Sequence, residues 1–455
     1  MKILPYLALA FPGIFSLGFA PDPSLTKDFW NSPQFVRSFM GSYGFRSEIE
    51  PRISRSEQFI LQEVVAKSEN QLEEAISYLE KKIDEESSAA IDFALATMYY
   101  QEGRLSKSAQ TYEKALEKFP SFLRARKNLG FVYLSLGTLD KASKSLAEAI
   151  SLGENDGVTY VALGYCHLSV NRYLAAENAY RMGILLYPES KDARNGLVNC
   201  LLSTGRYPEA LALLDELIQR DPENTFCHYA RASALQAMDR EKDAAIALET
   251  LRRMGRLKTS GFISVGDLYH NLGLYDISLS RYQEALAKKE KLSLSQYVRV
   301  ARILIERGSY EDGFSYLREI EQFFGGSFSA MEKKEVLLLQ AEVLKATGKN
   351  EESAKLLREI VEANPLEGKA LLLLGQHSWN ENDYTQAALF FERSAKANGW
   401  EVRSLIEHAR MRVSNREYEK AVRLLEEAQT ISPQPNVDRY LKSIQNLLLS
   451  SRLKF

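Results

Sequence analysis

The chain has 455 residues, 45% of them apolar and 26% charged, with a formal net charge of −2. Lys and Arg are spread along it, which argues against nucleic acid as a partner, because phosphate binding needs a concentrated basic face. Length alone suggests about three globular domains, a prior that the pattern from Ala89 onward overrules.

The amino terminus carries its own message. Met1-Lys2 supplies two positive charges, and Ile3 to Ala20 then holds no charged residue. Ser16-Leu17-Gly18 and Gly18-Phe19-Ala20 each put small residues where a signal peptidase reads, so residues 1–20 have the pattern of a secretory signal. Pro21 disfavours a cut directly before it, which leaves cleavage after Gly18 or an uncleaved anchor. An apolar run of that length, at about 1.5 Å per residue, just spans a membrane. A buried N-terminal helix competes with this reading and is weakened by Pro5, Pro12 and Gly13. No Cys stands near residue 20 to accept a lipid, and no Asn-x-Ser/Thr acceptor occurs anywhere. That favours a bacterial envelope over a eukaryotic secretory route. The expectation is export, to a bacterial periplasm or envelope, with a cytoplasmic protein as the alternative.

Residues 21–54 mix Pro21, Pro23, Pro33 and Pro51 with Phe29, Trp30, Phe35, Phe39, Tyr43 and Phe45. This is neither a linker nor a good amphipathic helix, although Pro33 to Met40 fits a short one. A cap packed over the first repeat is the preferred reading, with a partner-binding motif as the alternative. Residues 55–88 read as a degenerate helical pair with Leu61, Val65, Leu72, Ala75 and Leu79 on its apolar side.

From Ala89 a 34-residue pattern recurs six times without gaining or losing a residue, with anchors at Leu95-Ala96, Leu129-Gly130, Leu163-Gly164, Leu197-Val198, Arg231-Ala232 and Val265-Gly266. Further repeats start at Leu294, Lys334, Gly368 and Val402. A fixed period of this length marks a solenoid, whose units bury their apolar faces only against neighbours. The eighth position is small in nine of ten repeats (Gly130, Gly164 and Ala232 among them), and the twentieth in all ten, from Ser108 to Ala421. Closely crossing helices need small residues where their backbones approach. The fifteenth is Gly, Asn or Asp in nine, residues that tolerate the left-handed conformation ending a helix. The twenty-fourth is aromatic or Leu throughout, and Pro120, Pro188, Pro222, Pro365 and Pro433 close five repeats. Helix, tight turn, helix, stop is the consistent reading.

These positions resemble the tetratricopeptide repeat family, whose motif puts small residues at positions 8 and 20, an aromatic at 24 and Pro at 32. The clearest unit runs from Leu123 to Asp156. The resemblance implies an all-α fold, a right-handed superhelical α-solenoid of about ten helix-turn-helix repeats with terminal caps. It also implies a concave groove lined by the first helix of each unit, mainly through positions 2, 5, 9, 12 and 13. In this sequence those positions give Phe93, Tyr100, Arg124, Lys127, Phe131, Tyr165, Asn195, Asn199, Phe226, Tyr229, Asp267, His270 and Asn271, then Lys369, Gln376, Trp379, Arg403 and Arg410. Aromatics and Arg are the types that most often anchor interfaces. The family's best-known clamp for a C-terminal carboxylate is missing, since Asn195 and Asn199 are followed by Ala230, Ser260 and Ser264.

Three cysteines fall within the repeats. Cys166 and Cys200 both take the tenth position, about one helix spacing (~9–10 Å) apart, too far for a disulfide; with Cys227 they read as small buried free thiols. The step from Leu294 to Lys334 is six residues longer than the period and contains Gly325-Gly326. Residues 325–333 are therefore expected to break the stack, a lengthened loop in a continuous stack being the alternative. The array would occupy 89–324 and 334–436, and residues 437–455 a capping helix.

No HExxH, CxxC, GxxxxGK[ST], GxGxxG or GxSxG occurs, and the five histidines are scattered, so neither an enzyme nor a metal or cofactor site is expected. The expected function is a non-catalytic, exported scaffold that binds a protein or peptide in its groove. A factor recruiting envelope glycan or a glycan enzyme, or an intracellular adaptor, are the alternatives. Membrane contact is expected only if residues 1–20 stay uncleaved.

Overall fold

A computed structural model describes residues 25–40, 48–68, 71–290 and 294–452. The signal or anchor expected at 1–20, and Tyr43 and Phe45, lie outside the described residues. Within them the structure is helical throughout, and two helices, α1 (Lys27–Asn31) and α2 (Pro33–Met40), come first. Then come α3 (Arg55–Ser68), α4 (Leu72–Glu80), α5 (Ala89–Gln101), α6 (Leu105–Lys118), α7 (Leu123–Ser135) and α8 (Leu139–Ser151). The series continues with α9 (Gly157–Ser169), α10 (Tyr173–Leu186), α11 (Lys191–Ser203), α12 (Tyr207–Arg220), α13 (Thr225–Ala237) and α14 (Glu241–Arg253). Next are α15 (Thr259–Asn271), α16 (Tyr275–Ala287), α17 (Leu294–Glu306), α18 (Tyr310–Phe324), α19 (Ala330–Ala346) and α20 (Asn350–Ala363). The last are α21 (Gly368–Asn380), α22 (Tyr384–Ser394), α23 (Glu401–Ser414), α24 (Tyr418–Ile431) and α25 (Pro435–Arg452).

The turn inside each pair explains the fifteenth position. Gly103 and Gly137 have φ of +75° and +72°, and Asn171, Asp239 and Asn382 stand at +60°, +56° and +61°. Arg416 occupies the same place in the tenth repeat with φ +61°, so the geometry belongs to the position and not to the residue type. The small columns at positions 8 and 20 face each other. Where position 20 is Ser, its hydroxyl donates to the carbonyl of position 8: Ser108 to Ala96 (2.7 Å), Ser278 to Gly266 (2.8 Å) and Ser353 to Ala341 (2.7 Å). Such a bond is possible only because neither helix carries bulk there. The glycines at position 8 also make room for position 24: a Cβ on Gly164 would stand 2.8 Å from the ring of Tyr180.

The chain divides into two compact units, residues 1–257 and 258–455. In the first, α3 and α4 pack on α5, and the pairs α5–α6 to α13–α14 stack in order, each first helix also lying on the second helix of the pair before. Val64, not the expected Val65, enters the core under this end; Val65 is exposed. In the second unit α16 meets α18 of the pair after it, from α19 onward each first helix lies on the second helix of the pair before, and α25 packs on α24.

The expected break at 325–333 is absent from the second unit. The extra residues go into a longer α18, a 3₁₀ turn at Gly325–Ser327 and a longer α19 that starts on a Ser329–Glu332 capping box. With these the stack runs on, α19 packing on both α17 and α18. The boundary between units lies instead at Leu257 and Lys258, inside the stretch of unbroken period.

Candidate functional site: the first-helix face of the first unit

Helices α5, α7, α9 and α11 place their exposed-side residues in a row, and α1–α2 lies along that row. Three aromatic rings of the segment turn inward, with Phe29, Phe35 and Phe39 all buried. Phe35 meets Phe131 of α7 edge-on at 5.2 Å between centroids, and Phe39 lies tilted against Tyr100 of α5 at 4.3 Å. Trp30 packs edge-on against both Phe29 and Phe35 and lines a cavity of about 420 Å³ with Tyr100, Ser135 and Tyr165. Aromatic pairs in these arrangements contribute about 0.5–1.5 kcal/mol each beyond their burial.

Polar contacts fix the register. The Phe39 carbonyl accepts from Asn128 Nδ2 at 3.0 Å, and Asn128 also donates to the Tyr112 hydroxyl at 3.2 Å. Ser38 Oγ donates to Asp156 Oδ2 at 2.9 Å, while Lys127 Nζ reaches both Ser38 (3.1 Å) and Asp156 (3.2 Å). At the other end the Thr26 backbone N–H and hydroxyl both donate to Asp192, at 3.2 and 3.3 Å. Lys127 is buried with Glu154 and Asp156 as its counter-charges, the pairing a buried ammonium requires. Burial pushes the Asp156 carboxyl up, but Lys127 and the hydrogen bonds from Thr159 and Ser38 outweigh it and hold it below the usual carboxylate range. Asp192 goes the other way: its burial exceeds the help from Thr26 and raises its carboxyl. Beyond α1 a cavity of about 600 Å³ continues the face, lined by Asp28, Lys191, Asp192, Asn195 and Asn224 among others.

The expected groove residues thus separate into groups. Phe93, Arg124, Lys127, Phe131 and Tyr229 are buried, where residues lining an open groove were expected. For Phe131 the reason is α2 itself, whose Phe35 and Phe39 cover it. Tyr100, Tyr165, Asn195, Asn199 and Phe226 are half-buried. The aromatic segment is no cap over the end of the stack, a place α3 and α4 hold; it lies along the first-helix face.

The remaining predicted residues belong to the second unit, where His270 and Trp379 are half-buried and Asn271, Arg403 and Arg410 exposed. That unit's row is polar and paired within itself. Asp267 binds Arg299 at 2.8 Å, Lys369 pairs with Glu342, Gln376 links Lys345 to Glu407, and Arg410 binds Glu407 at 2.7 Å. His377 Nε2 stands 3.5 Å from Glu351, and with Glu381 these side chains bring ligand atoms within 4.8 Å of one another, a proximity hidden by their spacing in sequence.

Asn128, Asp156 and Asp192 are the contacts that sequence reading missed. Asn128 sits at the sixth position of its repeat, where the neighbouring repeats carry Ala94, Ala162, Gly196 and Ala230. A lone amide in a small-residue column was a legible signal.

The sequence profile of the tetratricopeptide repeat matches residues 66–121, 93–156, 161–225 and 338–400. The chain is a tetratricopeptide repeat protein. Among curated relatives, this repeat protein is 22% identical over 289 residues to Protein CTR9 homolog of Arabidopsis thaliana, covering 62% of this chain and 23% of that one. It is 22% identical over 242 residues to human DnaJ homolog subfamily C member 3, covering 47% of each. With the TPR repeat-containing protein YpiA of Bacillus subtilis it shares 26% over 216 residues, 47% of this chain and 50% of that one. The matches span about half or less of the relatives' length. Among solved structures, a tetratricopeptide repeat protein from Parabacteroides merdae covers 51% of this chain and 93% of its own at 17% identity and a TM-score of 0.38. Tetratricopeptide repeat proteins are protein- and peptide-binding scaffolds and in general are not catalysts. No helix among the described residues is long and apolar enough to cross a membrane.

Proposed function

We propose that the first-helix face of the first unit is the binding groove of this scaffold, and that its ligand is a short peptide segment of another protein. The observation that carries this reading is the way α1–α2 is held there: three inward rings, a captured backbone carbonyl at Asn128 and carboxylate anchors at both ends. Rings seated in pockets plus a few placed polar groups are the features by which helical peptides are recognised in grooves. A photo-reactive amino acid at Tyr165 or Asn195 should crosslink a partner in the native cell, and one at Leu185, exposed on α10, should not. Equal yields from all three positions would remove the groove from consideration.

We further propose that the scaffold is exported and works without catalysis in a bacterial envelope. The support is the uncharged Ile3–Ala20 run behind Lys2. A fused reporter active only outside the cytoplasm should be active, and Ile14→Arg should silence it, since a charge at the centre of such a segment costs about 2.5–3.5 kcal/mol of insertion free energy. Equal activity of the two fusions would refute export.

A further inference from the structure

Resting on that reading of the groove, we infer that residues 26–40 are an exchangeable occupant standing in the place of the ligand. The true ligand is then a short helical segment of a partner, with two aromatic side chains one turn apart, a small hydroxyl residue beside the second, and no carboxylate in that turn.

The chemistry of the ligand follows from what the groove asks of α2. Phe35 and Phe39 stand four residues apart, hence on one helix face, and fill the space over Phe131 and Tyr100. The opposite face is open, with Val36 and Arg37 exposed. Ser38 fits because Asp156 requires a donor and Lys127 an acceptor at one point; a hydroxyl supplies both. A carboxylate in that turn would meet Asp156 and Glu154. Asn128 is wholly buried and requires a backbone carbonyl, which any helical segment ending there can offer.

Exchange is expected because the groove and its occupant are built separately. The floor residues sit on α5 and α7, held by pairing with α6 and α8 and by bonds such as Ser108 to Ala96, none of which involves the segment. The segment in turn meets the repeats only through far-off positions: Ser38 and Asp156 are 118 residues apart in sequence, Thr26 and Asp192 166. Without a cover, Tyr100, Phe131 and Tyr165 would present a continuous aromatic surface, so whatever displaces α2 must be aromatic too. As part of the same chain, the segment acts at an effective concentration of about millimolar, so a free ligand competes at a disadvantage unless the segment is weakened.

The test uses the full chain and a fluorescein-labelled peptide of residues 25–40. Wild-type protein should bind it weakly. A chain carrying Phe35→Ala and Phe39→Ala should bind it at least tenfold more tightly, with its helical circular dichroism spectrum retained and only a small fall in melting temperature. Ser38→Glu, which sets a carboxylate against Asp156, should have the same effect and guards against misfolding of the double variant. Equal affinity in all three proteins overturns the inference. So does a large fall in melting temperature for both variants, which would make the segment part of the core. A wild-type dimer that both variants dissolve overturns it as well, because the occupant would then come from a second copy. Should the peptide fail while Tyr165 still crosslinks a partner, only this inference falls. Should exchange occur while Tyr165 crosslinks nothing, the functional reading falls and the built-in occupant stands.

Discussion

Arg416 sits with φ +61° at the turn between α23 and α24, where most repeats place Gly, Asn or Asp. A side chain with a Cβ pays about 1–2 kcal/mol for that conformation. Arg416→Gly should therefore raise unfolding stability by about 1 kcal/mol, read from denaturant titration, and Gly137→Ala at the equivalent turn should lower it by a similar amount. A loss on Arg416→Gly would show that the side chain contributes something its exposure does not suggest. Gly164 and Tyr165 are neighbours in sequence with opposite duties. Gly164 lies against Tyr180 with no room for a Cβ, so Gly164→Leu should cost about 1–3 kcal/mol through overpacking. Tyr165 is half-buried beside Trp30, and Tyr165→Ala should cost less than about 1 kcal/mol while weakening partner binding. The same truncation at Tyr229 is a core change, because that ring is buried. Melts of the three variants decide the matter, and a Tyr165→Ala chain that melts below Gly164→Leu would reverse the assignment.

At the scale of elements, the docking of α2 is open to control by pH. The Asp156 carboxyl is held below its ordinary value in the folded chain, so its contribution is present at neutral pH and is lost as pH falls through that lowered value. Asp192, raised by burial, has the opposite sign: protonating it relieves a cost. The two cannot be replaced by one acid transition. In a chain with Trp379→Phe and Trp400→Phe, Trp30 emission should shift to the red below about pH 4 as α2 loosens, and Asp156→Asn should remove most of that shift. Unchanged emission down to the unfolding transition would sink the prediction. The sequence made α2 legible as a short helix at Pro33 to Met40. It did not show where the helix goes, because a preference for helix is set by near neighbours and docking is set by residues far along the chain, 89 positions away at Asn128 and 118 at Asp156.

For the whole molecule, the three cysteines bear on how the protein behaves in an oxidising compartment. Cys166, Cys200 and Cys227 are free and buried, and burial pushes their thiols up to about 12, 12 and 11. They stay protonated at physiological pH, where only a thiolate would attack. Native protein should then leave a thiol reagent unreacted until it unfolds. Replacing all three with Ala should leave function intact, and a reductant should not move the melting temperature. A melting point that falls on reduction would reveal a disulfide.

What the sequence determined by itself is the repeat. A 34-residue period fixes which residues face a neighbouring helix, since each unit can bury its apolar side only there. Helix starts at Ala89, Leu123, Gly157, Lys191, Thr225 and Thr259 follow from it directly, and those at Leu294 and Gly368 from the repeat positions; at the eighth and tenth repeats the helix begins earlier, at Ala330 and Glu401. Local chemistry sufficed for the left-handed turns as well. Only the tertiary structure decided that Gly325-Gly326 leaves the stack whole, because lengthened helices absorb the insertion in space. Likewise, only it showed that the aromatic segment before the repeats covers Phe131 and Tyr100. Periodicity says which side chains point away from the core; it carries no information about what else in the chain comes to lie on them.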